Sequence, residues 1–182
     1  KLEEIVKSVR KIAKLKDPTD VTLDKWNRPN GLIIKKVTIP IGIIAVIYES
    51  RPNVTSDVSS LCFKSGNCVI LRGGSEAYFS NKLIAELFRK ALSICKVDKN
   101  YVQFIKSRNR KLVDLILSKM ENYIDVVIPR GGKNLVKKVQ MFSSVPVIGH
   151  LEGICHTYID KDADLNLAKK IILNAKLRNT SI

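Results

Sequence analysis

Ile41-Gly-Ile-Ile-Ala-Val-Ile-Tyr48 restricts the fold more than any other stretch of this sequence. It has no charged or amide side chain and is dominated by β-branched residues. It is too short to cross a bilayer. It also lacks the polar alternation of a strand with one wet face, so it fits a strand buried on both faces, as in the middle of a parallel sheet. A second run, Asn67–Leu71, follows after about 20 residues, room for one crossover helix. That helix is legible too: Val54–Lys64 carries Val58, Leu61 and Cys62 on one face and stops at Gly66, a fitting C-terminal cap.

The same alternation continues along the chain. Residues 2–14 repeat Leu2, Ile5, Val6, Val9 and Ile12 at helical spacing. Asp17–Asp20 breaks this helix, Trp26–Gly31 reads as a loop and Leu32–Val37 as a strand. Leu83, Ile84, Leu87, Phe88, Ala91 and Leu92 form a helical stripe, followed by a short strand at Tyr101–Ile105. A helix through Leu112–Ile116 ends near Asn122. Ile124–Ile128 is a strand, Pro129–Gly132 a loop and Asn134–Met141 a helix. Val145–Ile148 and Ile154–Ile159 read as strands. A last helix starts near Asp162 or Asp164 and runs through Ala175. Strand and helix in alternation predict an α/β fold: a parallel sheet with helices on both faces. The expected organisation is one domain over 1–182, with 1–38 as a flanking helix and strand.

The net charge of +15 points to an anionic partner: a phosphorylated substrate, a dinucleotide or nucleic acid. Lysines spread over the whole chain account for the charge equally well. No Arg-rich tail, nucleic-acid motif or basic stripe with interleaved aromatics is present. The cysteines at 62, 68, 95 and 155 have neither metal-ligand spacing nor a secreted disulfide pattern, so no metal is expected. Lys1–Arg10 is charged and amphipathic and does not read as a signal peptide. The expectation is a soluble cytoplasmic protein without a membrane partner.

In open α/β sheets ligands bind beyond the carboxyl ends of the strands. Three loops fall there: Glu49–Asn53, Arg72–Glu76 and Pro129–Gly132. Their glycines permit close backbone approach, and Arg72 and Arg130 supply donors suited to phosphate. Neither G-x-G-x-x-G nor G-x-x-x-x-G-K-[ST] occurs, so on spacing alone these could be tight βα turns.

The residues themselves narrow the choice. Ile39-Pro-Ile-Gly-Ile-Ile-Ala-Val-Ile-Tyr-Glu-Ser-Arg-Pro-Asn-Val54, Leu71-Arg-Gly-Gly-Ser-Glu76, Ile128-Pro-Arg-Gly-Gly132 and Gly149-His-Leu-Glu-Gly-Ile-Cys-His156 occur in this order. Together they closely resemble the gamma-glutamyl phosphate reductase (glutamate-5-semialdehyde dehydrogenase) family of the aldehyde dehydrogenase superfamily. The resemblance covers essentially the whole chain. It implies a Rossmann-like cofactor domain and an NADPH-dependent oxidoreductase of proline biosynthesis. It also implies a reaction in which a cysteine thiolate attacks the acyl phosphate of L-glutamyl 5-phosphate and hydride reduces the resulting thioester to L-glutamate 5-semialdehyde. The logic is that of covalent catalysis, with the cofactor carrying the reduction.

The resemblance also suggests roles. Arg72, Gly73, Gly74, Ser75 and Glu76 match the loop at the adenine ribose, where arginine suits the 2′-phosphate of NADP. Arg130, Gly131 and Gly132 match a phosphate-side loop opening a helix. Asn53 falls near the oxyanion-stabilising asparagine, with a helix cap as the competing role. Glu152 falls near the general base. In the family the nucleophilic cysteine follows shortly after the segment that here reads Asn174–Ile182, where this sequence stops. The chain therefore reads as truncated before its nucleophile and inactive alone. Cys155 and His156, on an expected strand, would point to opposite faces and form no dyad. A complementing second chain or a homo-oligomer is one implied partner. The alternative is a non-catalytic remnant or an interaction module whose basic surface binds a protein or nucleic acid.

Overall fold

The computed structural model describes residues 2–149 and 155–178, in two compact units, Lys1–Gly149 and His150–Ile182. The first unit opens with α1 (Leu2–Ala13) and an antiparallel hairpin of β1 (Thr22–Asn27) and β2 (Ile33–Val37). A βα alternation follows: β3 (Ile43–Tyr48), α2 (Pro52–Lys64), β4 (Cys68–Gly73), α3 (Tyr78–Ile94), β5 (Val102–Phe104), α4 (Lys111–Lys119), β6 (Val126–Arg130) and α5 (Lys133–Phe142). The last four strands form one parallel sheet in the order β5-β4-β3-β6.

β3 lies inside this sheet, and its last five residues are buried. Alternate residues serve opposite faces. Ile44, Val46 and Tyr48 pack with Val54 and Cys62 of α2 and with Ala85 and Leu92 of α3. Ala45 and Ile47 pack with Val113, Ile116 and Leu117 of α4 and with Val139 of α5. Each of these valine, leucine and isoleucine side chains contributes roughly 1.5–3 kcal/mol when taken out of water. A continuous apolar run is the sequence cost of two covered faces. Gly66, at φ +70, ends α2: its N–H donates to the Phe63 carbonyl, and the Asn67 N–H to that of Cys62. A residue with a Cβ would meet a left-handed penalty there.

Three expected elements differ. The segment read as a loop at Trp26–Gly31 begins inside β1, and the turn itself is Arg28–Leu32, closed by Arg28 N donating to Leu32 O at 2.8 Å. All six β1 residues are exposed, so no buried face imprinted a period on them. Val145–Ile148 forms only one parallel bridge, Val127 to Val147, in place of a strand. Pro146 has no N–H to extend the ladder. Residues 155–159 carry no regular structure, and Ile154 lies outside the described residues. In the second unit α6 (Leu165–Arg178) starts where expected, with the Asp164 carboxylate accepting from Asn166 N at 2.8 Å and Leu167 N at 3.2 Å. Among the described residues no helix is long and apolar enough to cross a membrane.

Candidate functional site

The chain leaves β3 through α2 towards β4 and β5, then returns through α4 to β6 on the other side of β3. The direction of winding therefore reverses between β3 and β6, which opens a crevice at their carboxyl ends. Glu49 sits in it. Its backbone N–H donates to the Arg130 carbonyl at 3.1 Å, and its Oε2 accepts from Gly132 N at 2.8 Å. Gly132 is the N-cap of α5 and has no side chain of its own to cap the helix. A carboxylate thus already occupies the place where the helix dipole favours an anion. Gly131 allows this, since a Cβ there would lie 2.6 Å from Glu49 Cδ.

Beside this point, on the face covered by α4 and α5, lies a cleft of about 570 Å³. Arg72, Gly74, Ser75, Glu76 and Arg110 line it, with Lys138 and Glu49. Most of the charges are already engaged. Ser50 Oγ donates to Glu76, Lys138 pairs with Asp114 at 2.6 Å, and Glu49 holds Gly132. Arg72 is half-buried. It donates to the carbonyls of Gly73 at 3.1 Å and Arg108 at 3.4 Å, while its Nε is buried without a partner. Burial, and then the neighbouring charge of Arg110, hold the Arg72 pKa below its usual value.

Beneath the Arg72–Glu76 turn is a buried chain of hydroxyl and amide groups. Thr55 Oγ1 donates to Asn81 Oδ1 at 3.1 Å, so the Tyr48 hydroxyl donates to Thr55 at 2.7 Å. Gly73 rests on it: a Cβ would lie 2.4 Å from Asn81 Nδ2 and 3.1 Å from Tyr48 Cζ. Burial raises the Tyr48 hydroxyl to about 12, against the opposing hydrogen bond with Thr55. Because the folded pKa is the higher one, the stabilisation is complete below pH 10, the unfolded value, and is lost as pH rises towards 12. The loss is of the order of 3 kcal/mol at about 1.4 kcal/mol per pH unit. Urea midpoints should therefore fall steeply between these two pH values in the wild type and less steeply in Tyr48→Phe. Parallel curves for the two proteins would refute the assignment.

A larger concavity, about 820 Å³, opens on the opposite face beside α2. It is mainly apolar, with Ile39, Ile41, Val54 and Leu61, and Arg51, Asn53 and Arg130 at its wall. Asn53 is exposed at the second position of α2 and caps nothing. Arg51 is the N-cap, Pro52 is the first helical residue, and no side chain makes a capping bond. The expected site residues thus fall into two groups on opposite faces of the sheet: Arg72–Glu76 on one, Asn53 and Arg130 on the other. The Gly131–Gly132 turn joins them through Glu49. Glu152 lies outside the described residues.

Cys62 and Cys68 are not activated nucleophiles. Burial, then Cys68, pushes Cys62 up to about 11; burial, then Asp98, raises Cys68. Cys95 ends α3 and is exposed, as are Cys155 and His156. The latter two are not on a strand, so the opposite-face argument does not apply to them.

Arg110 escaped the sequence reading, and Glu49 and Ser50, though in the expected Glu49–Asn53 loop, were given no role there. The rule that selected the other loops would have found Arg110, since residues 106–110 follow β5 at the same end of the sheet. The loop position of Glu49 was legible but its contact was not, because it is made to a glycine 83 positions away.

Known proteins resemble this chain in sequence and fold. The aldehyde dehydrogenase family profile matches residues 3–181. The chain is 49% identical over 182 residues to a gamma-glutamyl phosphate reductase of Bartonella tribocorum, covering all of this chain and 44% of that one. It is 47% identical to the enzyme of Paramagnetospirillum magneticum, covering 43% of it. The crystal structure of gamma-glutamyl phosphate reductase from Thermotoga maritima superposes with a TM-score of 0.87 at 42% identity, over 96% of this chain and 42% of that one. The chain spans less than half the length of the relatives it matches.

Proposed function

Since the chain belongs to the aldehyde dehydrogenase family, we propose that it is the cofactor-binding portion of a gamma-glutamyl phosphate reductase. Its reaction is the NADPH-dependent reduction of L-glutamyl 5-phosphate to L-glutamate 5-semialdehyde. The observation that carries this reading is the switch-point crevice, with a carboxylate on the α5 N-terminus and two arginines beside it, in a chain so similar to these reductases.

The residues present fit a phosphorylated dinucleotide. Glu49 shows that the Gly132 N–H donates to an anionic oxygen, and Gly131 leaves room for one. Arg72 has a donor without a partner, and Gly74 brings backbone close to the cleft. In this reading Arg72 and the Gly73–Glu76 turn hold the adenosine end, and the Gly132 N–H donates to a phosphate oxygen in place of the Glu49 carboxylate. NADPH supplies the hydride when bound. Asn53, at the apolar concavity, has an amide suited to stabilising an oxyanion on the reacting carbonyl. Glu152 matters less, because reduction in this direction needs no water activated. Cys62 and Cys68 are held as thiols by burial, and in this reading neither is the nucleophile.

Calorimetric titration with NADPH tests the reading. Saturable binding is expected, together with no phosphate-dependent oxidation of glutamate semialdehyde by this chain alone. Absence of binding would remove the cofactor assignment. Turnover by the chain alone would overturn the assignment of the nucleophile.

A further inference from the structure

Arg110 stands at the start of α4, across the cleft from the Arg72 turn, and the sequence gives no reason to connect the two. Three contacts hold its loop in place. The Tyr78 hydroxyl donates to the Lys106 carbonyl at 2.6 Å, Arg72 donates to the Arg108 carbonyl, and the Arg108 guanidinium lies 4.6 Å and 4.8 Å from the ring centroids of Tyr78 and Phe79. The last contact is a double cation–π arrangement. The loop is thus fastened to the start of α3 and to Arg72 itself.

The charges in the cleft then become decisive. Glu49, Glu76 and Lys138 each have a partner, as described above. Arg72 donates only to carbonyls, and the Arg110 side chain makes no hydrogen bond or ion pair among the described residues. Two guanidinium groups therefore line one cleft, neither paired with a carboxylate, and the charge of Arg110 reaches Arg72. Like charges brought together cost free energy unless a counter-charge joins them. A phosphate monoester carries nearly two negative charges at neutral pH and three acceptor oxygens, which two planar forks match better than one. A ribose 2′-hydroxyl is uncharged and offers a single acceptor oxygen.

We propose that Arg110 acts with Arg72 as a two-guanidinium clamp for the 2′-phosphate of the cofactor, so that Arg110 sets the preference for NADP over NAD. This rests on the reading that the cleft takes the adenosine end. It adds a residue from a different crossover, one that the resemblance does not supply.

The test uses 2′,5′-ADP and 5′-AMP as probes, with dissociation constants measured by calorimetry for the wild type, Arg110→Gln, Arg110→Lys and Arg72→Ala. Arg110 is exposed, so neither substitution there disturbs the core. In Arg110→Gln, 2′,5′-ADP should bind roughly 10-fold to 100-fold more weakly, the loss expected for a charge-assisted contact. Its affinity for 5′-AMP should stay within about 2-fold, and the salt dependence for 2′,5′-ADP should become shallower. Arg110→Lys should recover part of the loss, since it restores charge without the fork. Equal weakening of both probes, or no weakening of either, would overturn the clamp while leaving the adenosine reading intact. A wild type that binds neither probe nor NADPH would overturn that reading and the clamp together.

Discussion

Arg72→Ala is expected to weaken NADPH binding by about 30-fold or more while changing NADH binding only a few-fold. A hydrogen bond to a charged group contributes about 1.5–3 kcal/mol, and each 1.4 kcal/mol is tenfold in affinity. Arg72 meets the condition for the upper part of that range. It is half-buried, its charge is already disfavoured by burial and by Arg110, and its Nε has no partner. An incoming phosphate relieves both penalties at once. The fold should tolerate the change, because the two hydrogen bonds lost are one to the adjacent residue's carbonyl and a long one to Arg108. Titration of NADPH and NADH side by side, with thermal midpoints measured on the same samples, gives the answer. Equal loss for both dinucleotides would mean that Arg72 merely shapes the cleft, and a collapse in the midpoint would mean that it is structural. Arg72→Lys should lie between, retaining charge but losing the planar fork.

Gly73→Ala is expected to lower stability by about 3 kcal/mol, at the upper end of what overpacking costs. The added methyl would lie 2.4 Å from Asn81 Nδ2, well inside contact distance. Asn81 cannot swing aside. It is fully buried, and its Oδ1 is held by Thr55, which is held in turn by Tyr48, itself 1% exposed. The clash must move β4 or α3. For a unit of this size such a loss corresponds to a fall in Tm of roughly 6–12 °C. Gly74→Ala is the control, since its Cβ would find its nearest neighbour, the Ser50 backbone nitrogen, at 3.4 Å. That substitution should cost well under 1 kcal/mol by the ordinary standard for surface changes. Thermal melts of the two variants that cannot be told apart would show that the Asn81 wall yields.

These two neighbours show where reading from sequence runs out. Both belong to Arg-Gly-Gly-Ser-Glu, and the pattern identified the turn and its place beyond a strand. It could not tell the glycine pressed on a buried amide from the glycine facing the cleft. The wall behind Gly73 comes from β3, α2 and α3 together, through Tyr48, Thr55 and Asn81.

The parallel sheet was written in the sequence because a strand covered on both faces must be apolar throughout, and Ile43–Tyr48 is so. The helices were legible through their periodic stripes, and the ends of α2 and α6 through Gly66 and Asp164. Exposed β1 left no such mark, and Pro146 cut short a strand that composition favoured. The tertiary structure alone decided which loops share a cleft, which charges find partners and which do not. Glu49 reaches Gly132, and Arg110 comes to face Arg72, only because the crossover from β5 returns past β3. Patterns of neighbouring residues report burial, which is a local demand on each side chain. Contacts across the switch point depend on strand order, which no single segment encodes.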